Sequence, residues 1–229
     1  MVKNLVEKGK LSDPVLLYNR TRERAEDLSK SLPEGSTRVV STIEEAVSTA
    51  SIIFVCVGDD AAVKETVATA TKSGSSINEK LFVDCSTIHP DTTADISETL
   101  TSQGANFVAC PVFGAAAAAQ AGQLVCVLAG PKAQVEKVLP YCEGVMGKAV
   151  IDLSDQPVGK ASLLKVAGNT FILNMVETLA EGHTLAEKTG LGPHNLHKFI
   201  EAVFPGPFVA YSNRLMSGDY HKRQAVGGW

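Results

Sequence analysis

A lysine and an asparagine one helical turn apart are the strongest candidates for chemistry in this sequence. Lys165 and Asn169 lie within residues 158–190, where apolar residues recur on nearly every side of a predicted helix. Side chains four residues apart lie one above the other on a helix. Because no acidic residue stands three or four positions from Lys165, burial would lower the pKa of this lysine. A lysine with a lowered pKa can exchange a proton with a substrate oxygen.

A purely structural role is the alternative for the same pair. Lys165 could extend to solvent along its apolar stem, and Asn169 could satisfy a backbone group. The helix that carries them is bounded by Asp155, a typical capping residue, and by Gly190, a typical terminator. Because this helix is apolar on nearly every side, we expect it to be buried in a core or between two domains.

The segments that must position this helix alternate between strands and helices. Apolar runs that predict strands are followed by segments with helix caps up to residue 152, and only helices are predicted afterwards. Such alternation is typical of right-handed crossovers in an α/β, Rossmann-like doubly wound sheet. We therefore predict a sheet domain over residues 1–152 and the start of an all-helical domain over residues 153–229. The apolar run at 51–57 predicts a strand buried on both faces of the sheet.

The beginning of the chain departs from the usual plan of such a sheet. A dinucleotide-binding sheet begins with a strand, a G-x-G-x-x-G loop and a helix. No G-x-G-x-x-G occurs in this sequence, and residues 1–9 resemble the back half of a helix that a terminal glycine closes. The strand at 15–18 would then be the second of the sheet. We expect the chain to begin inside the first helix, with the first strand and the glycine-rich loop missing.

The residues after the strand at 15–18 bear on the choice of a dinucleotide. Sites that prefer NAD place an Asp or Glu at the end of this strand, where it accepts a hydrogen bond from the ribose 2′-hydroxyl. Here Asn19, Arg20 and Thr21 follow the strand, and no carboxylate is present. A guanidinium suits a 2′-phosphate, so the segment favours NADP, with NAD as the alternative cofactor. The other interpretation is that these residues only form the solvated start of a helix.

Composition narrows the classes of partner and compartment. The 229 residues carry a net charge of −4 and have a pI near 5.8, which argues against nucleic acid or an anionic membrane as a partner. No apolar run is long enough for a transmembrane helix, and the N-terminus lacks the layout of a signal peptide. We expect a cytoplasmic protein, or a mitochondrial one if a targeting peptide precedes Met1.

The cysteines predict a reducing compartment rather than a disulfide framework or a metal site. They are Cys56, Cys85, Cys110, Cys126 and Cys142. Their number is odd and no two have C-x-x-C spacing. The first four lie in apolar strand-like runs, where a free cysteine packs as a small hydrophobic residue. His194 and His197 have no third ligand nearby in the sequence, so we predict no metal site there either.

Three separated motifs carry a resemblance to a known family. Residues 84–90, DCSTIHP, follow a D-x-S-T-x-x-P pattern. Residues 110–115, CPVFGA, followed by AGQL at 121–124, are similar to A-P-V-S-G-G…G-x-L. Residues 159–169 match G-x-x-x-x-x-K-x-x-x-N. Together they resemble the β-hydroxyacid dehydrogenases, a family that includes 3-hydroxyisobutyrate dehydrogenase and 6-phosphogluconate dehydrogenase-like enzymes, over essentially the whole chain.

The resemblance implies an oxidoreductase that moves a hydride between NADP(H) and a small hydroxy acid or its semialdehyde. It makes Lys165 the general acid and base, with Asn169 hydrogen-bonded to the substrate beside it. It implies three substrate-binding residues, Ser86, Gly114 and Ala115, of which the last two would offer backbone N–H groups to a carboxylate. It implies six cofactor-binding residues: Asn19, Arg20, Thr21, Val57, Gly58 and Thr87. Members commonly form dimers or tetramers, so a homo-oligomer is expected.

Two substitutions depart from the family pattern. Phe113 stands where the family has Ser, and Ala115 stands where it has a second Gly. Alanine disfavours positive φ, so we expect an altered carboxylate-binding turn. Phe113 would make the pocket more apolar and poorer in hydrogen bonds, so we expect a substrate different from the family's short hydroxy acids. The chain also stops at residues 224–229, before the family's later helices.

Two classes of function remain open at this point. The first is a nicotinamide-dependent dehydrogenase or reductase. The second is a non-catalytic relative, or an inactive truncated product, that serves as a scaffold or dimerising module. Non-catalytic relatives typically replace the catalytic lysine. Because Lys165 and Asn169 are both present, the sequence favours the enzyme.

Overall fold

Strands and helices alternate in the computed structural model, which describes residues 1–72 and 76–218. The strands in this part of the chain are β1 (Val15–Leu17), β2 (Thr37–Val39), β3 (Ile52–Val55), β4 (Leu81–Asp84), β5 (Asn106–Ala109), β6 (Val112–Phe113), β7 (Leu124–Gly130) and β8 (Gly147–Ser154). The α/β class predicted from the sequence is confirmed.

The helices connect these strands and then replace them. In the described residues they are α1 (Val2–Lys8), α2 (Arg22–Lys30), α3 (Ile43–Thr49), α4 (Asp60–Lys72), α5 (Pro90–Thr101), α6 (Ala116–Gln120), α7 (Lys132–Val138), α8 (Gly159–Lys188), α9 (Pro193–Val203) and α10 (Pro207–Ser217). A short 3₁₀ turn over Leu139–Tyr141 follows α7. The predicted end of the helical domain at 224–229 lies outside the described residues.

The strands form two separate sheets in the described residues. A six-stranded sheet has the order β3-β4-β5-β7-β6, with β8 beside β7. The pairs β3–β4, β4–β5 and β7–β8 are parallel, whereas β7 is antiparallel to both β5 and β6. The first two strands form their own parallel pair, in which Val15 lies opposite Thr37. No hydrogen-bonded ladder joins β1 to β3 in this part of the chain.

The position of a strand in the sheet controls its burial. All four residues of β4 are buried, because Phe82 packs against α4 and α5 on one face while Val83 packs against α1 and α7 on the other. The predicted burial of the run 51–57 on both faces is wrong: only Val55 of β3 is buried, and Ser51 and Cys56 are exposed. The reason is that β3 lies at the edge of the six-stranded sheet, where it has a neighbour on one side only.

The long helix predicted from the sequence is confirmed as α8, but its expected burial is not. Leu163, Phe171 and Leu173 are exposed by 51%, 78% and 68% of their surface. The chain divides into two compact units, residues 1–166 and 167–229, so the division falls inside this helix rather than at residue 152. The first two turns of α8 belong to the sheet unit because Ala161 and Leu164 pack in its core.

The second unit has a small core of its own. Met175 and Leu179 of α8 pack with Ile200 of α9, and residues of α10 cover them. A buried hydroxyl at Ser212 lies 2.8 Å from both His183 Nε2 and His197 Nδ1. These histidines are therefore engaged in packing the helices together. In the described residues, no helix has the length and apolar character that crossing a membrane requires.

Candidate functional site

The carboxyl ends of β3 and β4 are tied together by a buried hydroxyl. Ser86 Oγ accepts a hydrogen bond from the backbone N–H of Val57 at 3.0 Å. The backbone N–H of Ser86 in turn donates to Asp84 Oδ1 at 3.1 Å. Both Ser86 and Asp84 are almost fully buried, and burial raises the pKa of the Asp84 carboxyl. These contacts fix the two strand ends at the edge where parallel α/β sheets bind their ligands.

The role predicted for Ser86 as a carboxylate ligand stays a prediction, and its contacts favour a different one. Its hydroxyl accepts from Val57 and hydrogen-bonds the side chain of Asp84, within a buried setting. A hydroxyl with these partners positions the loops that follow β3 and β4.

A second link joins the same two loops from the solvent side. Asp60 Oδ1 accepts from the backbone N–H of His89 at 3.0 Å. A hydrogen bond from Thr92, followed by the one from His89, lowers the pKa of the Asp60 carboxyl. Asp59 caps α4 by accepting from the backbone N–H of Ala62 at 2.8 Å. The two aspartates therefore serve loop structure and do not form a carboxylate pair for acid–base chemistry.

The start of α8 is fastened to α5, and this fastening places Lys165. Ser162 Oγ lies 2.6 Å from Thr93 Oγ1 in a buried hydrogen bond. Gly159 allows a close approach, because a Cβ at this position would lie 3.0 Å from the carbonyl oxygen of Pro90. The first turn of α8 is thus held against α5 before the lysine is reached.

Lys165 is buried beside an aromatic ring. Only 6% of its surface is exposed, and its Nζ lies 4.5 Å from the ring centroid of Phe113. Among the described residues it makes no hydrogen bond and no ion pair. Burial lowers the pKa of the Lys165 ammonium. The unpaired buried lysine anticipated from the sequence is therefore present, and its proton is available to a bound molecule.

The turn after β6 carries Gly114 and Ala115 and directly follows Phe113, the residue whose ring lies beside Lys165. Phe113 ends β6, where it lies opposite Val125 of β7. Gly114 has φ +132°, and a Cβ there would lie 2.7 Å from Leu124 Cδ2, so only glycine fits this position. Ala115 has φ −75°, which any residue adopts, so this chain's turn requires no positive φ at that position. The expectation that Ala115 alters the turn relative to the family stays a prediction. Both Gly114 and Ala115 are exposed.

Asn169 lies one turn after Lys165 on α8 and is half-buried. It belongs to the second compact unit, whereas Lys165 belongs to the first. Within the described residues Asn169 makes no side-chain hydrogen bond. Its role toward a substrate stays a prediction.

The segment after β1 forms a separate polar cluster at the surface. Asn19 Oδ1 accepts from the backbone N–H of Thr21 at 2.8 Å, which shapes the turn into α2. Arg20 is exposed and, within the described residues, makes no ion pair or hydrogen bond. Arg22, by contrast, binds Glu26 at 2.7 Å and Ser41 at 2.8 Å. Within the described residues the Arg20 guanidinium therefore has no partner, and its role toward a 2′-phosphate stays a prediction.

The remaining predicted cofactor residues lie on the loops after β3 and β4. Val57 is half-buried with its N–H already bound to Ser86, and Thr87 is half-buried. Gly58 is exposed, and a Cβ there would meet no atom within 4 Å. The cofactor-binding roles of Val57, Gly58 and Thr87 stay predictions. In the described residues no hydrogen bond joins the Arg20 turn to the loops after β3 and β4.

One residue that supports the site was missed by sequence reasoning. Asn4 is buried in α1, and its Nδ2 donates to the carbonyl oxygens of Ala119 at 2.8 Å and Gln120 at 3.3 Å. It thereby holds the end of α6, the helix that follows Gly114. A buried polar residue on an otherwise apolar helix face is the only local signal, and its partners are too distant in sequence to be found without the fold.

Comparison with known proteins gives a consistent set of relatives. Residues 1–153 match the model of the NAD binding domain of 6-phosphogluconate dehydrogenase. The chain is 39% identical over 220 residues to the NADH-dependent oxidoreductase ucdB of Aspergillus ustus, covering 96% of this chain and 73% of ucdB. It is also 34% identical over 196 residues to the cytokine-like nuclear factor N-PAC of Danio rerio, covering 83% of this chain but 39% of N-PAC.

The fold has close counterparts among solved structures. Psf3, solved in complex with NADP⁺ and 2-OPP, superposes with a TM-score of 0.81 at 23% identity. The match covers 95% of this chain and 74% of Psf3. At this identity the likeness concerns the fold, which is that of a Rossmann-like sheet followed by helices.

Proposed function

Because the chain belongs to the β-hydroxyacid dehydrogenase family, whose NAD-binding domain it carries over residues 1–153, we propose that it transfers a hydride between NADP(H) and a small hydroxy acid or its semialdehyde. The observation that carries the proposal is Lys165, a buried ammonium without a hydrogen-bonding partner in the described residues. Membership of this family indicates an enzyme that uses a nicotinamide cofactor, either NADP or NAD. The substrate and the preference for NADP are our inference.

Lys165 moves the proton in this scheme. A bound nicotinamide would supply the hydride to a carbonyl carbon, or accept it from the alcohol. In reduction, Lys165 Nζ donates a proton to the substrate oxygen, and in oxidation the neutral amine takes the hydroxyl proton. Because burial lowers the pKa of Lys165, both protonation states become accessible closer to neutral pH, which favours general acid–base catalysis.

The neighbours of Lys165 orient the substrate. Asn169, one turn further along α8, has an amide with no hydrogen-bonding partner in the described residues, and this amide can hydrogen-bond the same oxygen or its neighbour. The exposed backbone at Gly114 and Ala115 offers N–H groups to a carboxylate, in the manner of an anion-binding turn. The carboxylate would then lie close to the Phe113 end of the pocket, next to the proton donor.

Residues at the other end of the site would hold the cofactor. The free guanidinium of Arg20 suits the 2′-phosphate of NADP, while Asn19 and Thr21 shape its turn. Gly58 leaves room for close approach of the dinucleotide, and Val57 and Thr87 line the same edge of the sheet. NAD is the alternative cofactor if Arg20 binds no phosphate.

Phe113 narrows the substrate class. Its ring packs against the Lys165 ammonium at 4.5 Å, so the side of the pocket next to the reacting oxygen is apolar and offers no hydroxyl. Apolar surface favours substrates that present a methyl, alkyl or aromatic group there, at ~25 cal/mol per Å² buried. We therefore infer a hydroxy acid or aldehyde that carries such a group, rather than one with a second hydroxyl.

A substrate panel tests the proposal directly. The full-length protein is mixed with NADPH or NADH and with aldehydes that differ only in an apolar or hydroxylated substituent, and nicotinamide oxidation is followed by absorbance. We expect turnover with NADPH and a higher kcat/KM for the apolar series. A Phe113→Ser variant should reverse the order within the series. Equal kcat/KM for both series in wild type would contradict the substrate class, and no turnover with any member would contradict the enzyme.

A non-catalytic role is the second candidate, and the similarity to N-PAC favours it. N-PAC is named as a nuclear factor rather than as an oxidoreductase. In that case the full-length protein would self-associate in size-exclusion chromatography and bind NADPH without turnover. Retention of Lys165 and Asn169 is the reason that we place the enzyme first.

A further inference from the structure

Three cysteine thiols meet inside the sheet unit. Cys110 follows β5, Cys126 lies within β7, and Cys142 follows the 3₁₀ turn after α7. All three are completely buried, and their Sγ atoms lie within 4.8 Å of one another. The three residues are widely separated in sequence, so the fold alone brings them together.

The surroundings of this three-cysteine cluster are apolar and contain more sulfur. The cluster lies in the core between the sheet and α7, where Cys85 and Met146 are also buried. The Cys85 thiol neighbours that of Cys110. Among the described residues, no His, Asp or Glu side chain joins the group. A ligand held here would therefore meet sulfur donors and hydrocarbon.

We propose that Cys110, Cys126 and Cys142 form a three-sulfur binding site for a soft d¹⁰ metal ion, with Cu⁺ as its ion. Soft thiolate ligands select Cu⁺, Zn²⁺ and iron–sulfur clusters over harder ions. Structural Zn²⁺ sites are almost always tetrahedral with four ligands, whereas the cluster offers three thiols that converge.

The geometry needs little adjustment for such a site. Metal–sulfur bonds of about 2.3 Å in a trigonal arrangement place the sulfurs ~4 Å apart. The Sγ atoms are within 4.8 Å, so small side-chain rotations suffice. Each thiol that binds as a thiolate releases its proton to solvent, and no electron is transferred. A disulfide would join only two of the three sulfurs and would leave the third unexplained.

Competition titration in the absence of oxygen tests the site. The reduced, metal-free 229-residue chain is titrated with Cu⁺ against the colorimetric chelator bicinchoninate, both in its native state and during refolding, because the site is closed to solvent. We expect one Cu⁺ per chain, and X-ray absorption should show sulfur as the only nearest neighbour of the copper. The same titration with Zn²⁺ should give weaker binding.

Cysteine variants identify the ligands. Cys126→Ser and Cys142→Ser should weaken Cu⁺ binding by more than the roughly 10–100-fold that loss of an outer contact to a metal site costs. Cys56→Ser is the matched control, because Cys56 is exposed and lies outside the cluster. It should bind Cu⁺ as the wild type does. Circular dichroism checks folding, and alanine variants, which keep the site apolar, replace any serine variant that unfolds.

Several results would overturn the site. They are an absence of Cu⁺ binding by the wild type, nitrogen or oxygen in the first shell of the copper, tighter binding of Zn²⁺ than of Cu⁺, and unchanged affinity in the folded Cys126 and Cys142 variants. The wild-type stoichiometry and absorption spectrum stand by themselves, so failure of a variant to fold does not leave the proposal undecided.

Discussion

The region around Lys165 and the turn after β1 are built in opposite ways. Lys165 is 6% exposed and is placed by packing of α8 on α5 and by the ring of Phe113. Arg20, in contrast, is exposed in the turn between β1 and α2, without a partner in the described residues. The lysine is therefore held in place by the fold, whereas no contact within the described residues holds the Arg20 guanidinium. Changes at the first should alter the chemical step, and changes at the second should alter which cofactor binds.

The largest effect is expected at the buried lysine. In the full-length protein, Lys165→Met should lower kcat by about 10²–10⁴-fold, because the proton donor is removed while an apolar chain of similar length still fills the space. NADPH affinity, measured by fluorescence titration, should stay nearly unchanged. Lys160→Met is the control, since Lys160 is exposed on the same helix. A kcat within threefold of wild type would contradict the role of Lys165.

A smaller effect, on preference rather than rate, is expected at the exposed arginine. Arg20→Asp should lower the NADP/NAD ratio of kcat/KM by roughly 10–100-fold, since a charge-assisted hydrogen bond contributes ~1.5–3 kcal/mol. Steady-state kinetics with both cofactors measures the ratio. Lys30→Asp makes the same charge change at the far end of α2 and should leave the ratio unaltered. If both variants behave alike, the general charge of the surface, rather than Arg20, sets the preference.

The turn after Phe113 should tolerate change at one residue and not at its neighbour. Gly114→Ala should destabilise the protein by about 1–3 kcal/mol, because alanine is strained at its φ and its Cβ would collide with Leu124. Ala115→Gly should cost much less, since Ala115 already has an ordinary φ. Urea unfolding measures both. Equal losses would show that the turn has no special need for glycine at 114.

The hydroxyl at the end of β4 distinguishes a positioning role from a binding role. Ser86→Ala removes the acceptor of the Val57 N–H and a partner of Asp84, which should cost ~1–3 kcal/mol of stability. If Ser86 only positions the loops, KM for the hydroxy acid substrate should change little. Ser102→Ala, at an exposed hydroxyl, is the stability control. A large rise in KM with unchanged stability would restore Ser86 as a substrate ligand.

The smallest expected effect is the pH dependence that Lys165 contributes to stability. Burial lowers the pKa of this lysine in the folded protein, so between that value and the ordinary lysine pKa the unfolded chain binds more protons. Stability should therefore rise with pH across this window. Urea unfolding at several alkaline pH values should show that the free energy of unfolding of the wild type increases with pH relative to that of Lys165→Met. A constant difference would mean that the lysine pKa is not lowered.

Local sequence patterns were sufficient to predict the types of the elements. The apolar runs of β4 and β7 and the four-residue spacing of Lys165 and Asn169 are local features, and the predicted strands and the long α8 are confirmed. The cap predicted for this helix at Asp155 is wrong, because Asp155 Oδ1 accepts from the backbone N–H of Lys132 at the start of α7, 2.9 Å away. The unpaired state of Lys165 could also be anticipated, since no acidic residue stands within one turn of it.

Tertiary structure determined how each of these residues is used. The run at 51–57 is apolar like β4, yet β3 is only half-buried because it is a sheet edge. The sequence could not show that Ser86 Oγ accepts a hydrogen bond from the backbone N–H of Val57, nor that the Phe113 ring lies against Lys165 Nζ. From the sequence the cysteines were expected to be separate core residues, whereas the fold brings the thiols of Cys110, Cys126 and Cys142 together. Local patterns report the period and polarity of a segment, but contacts between distant residues depend on which strands become neighbours.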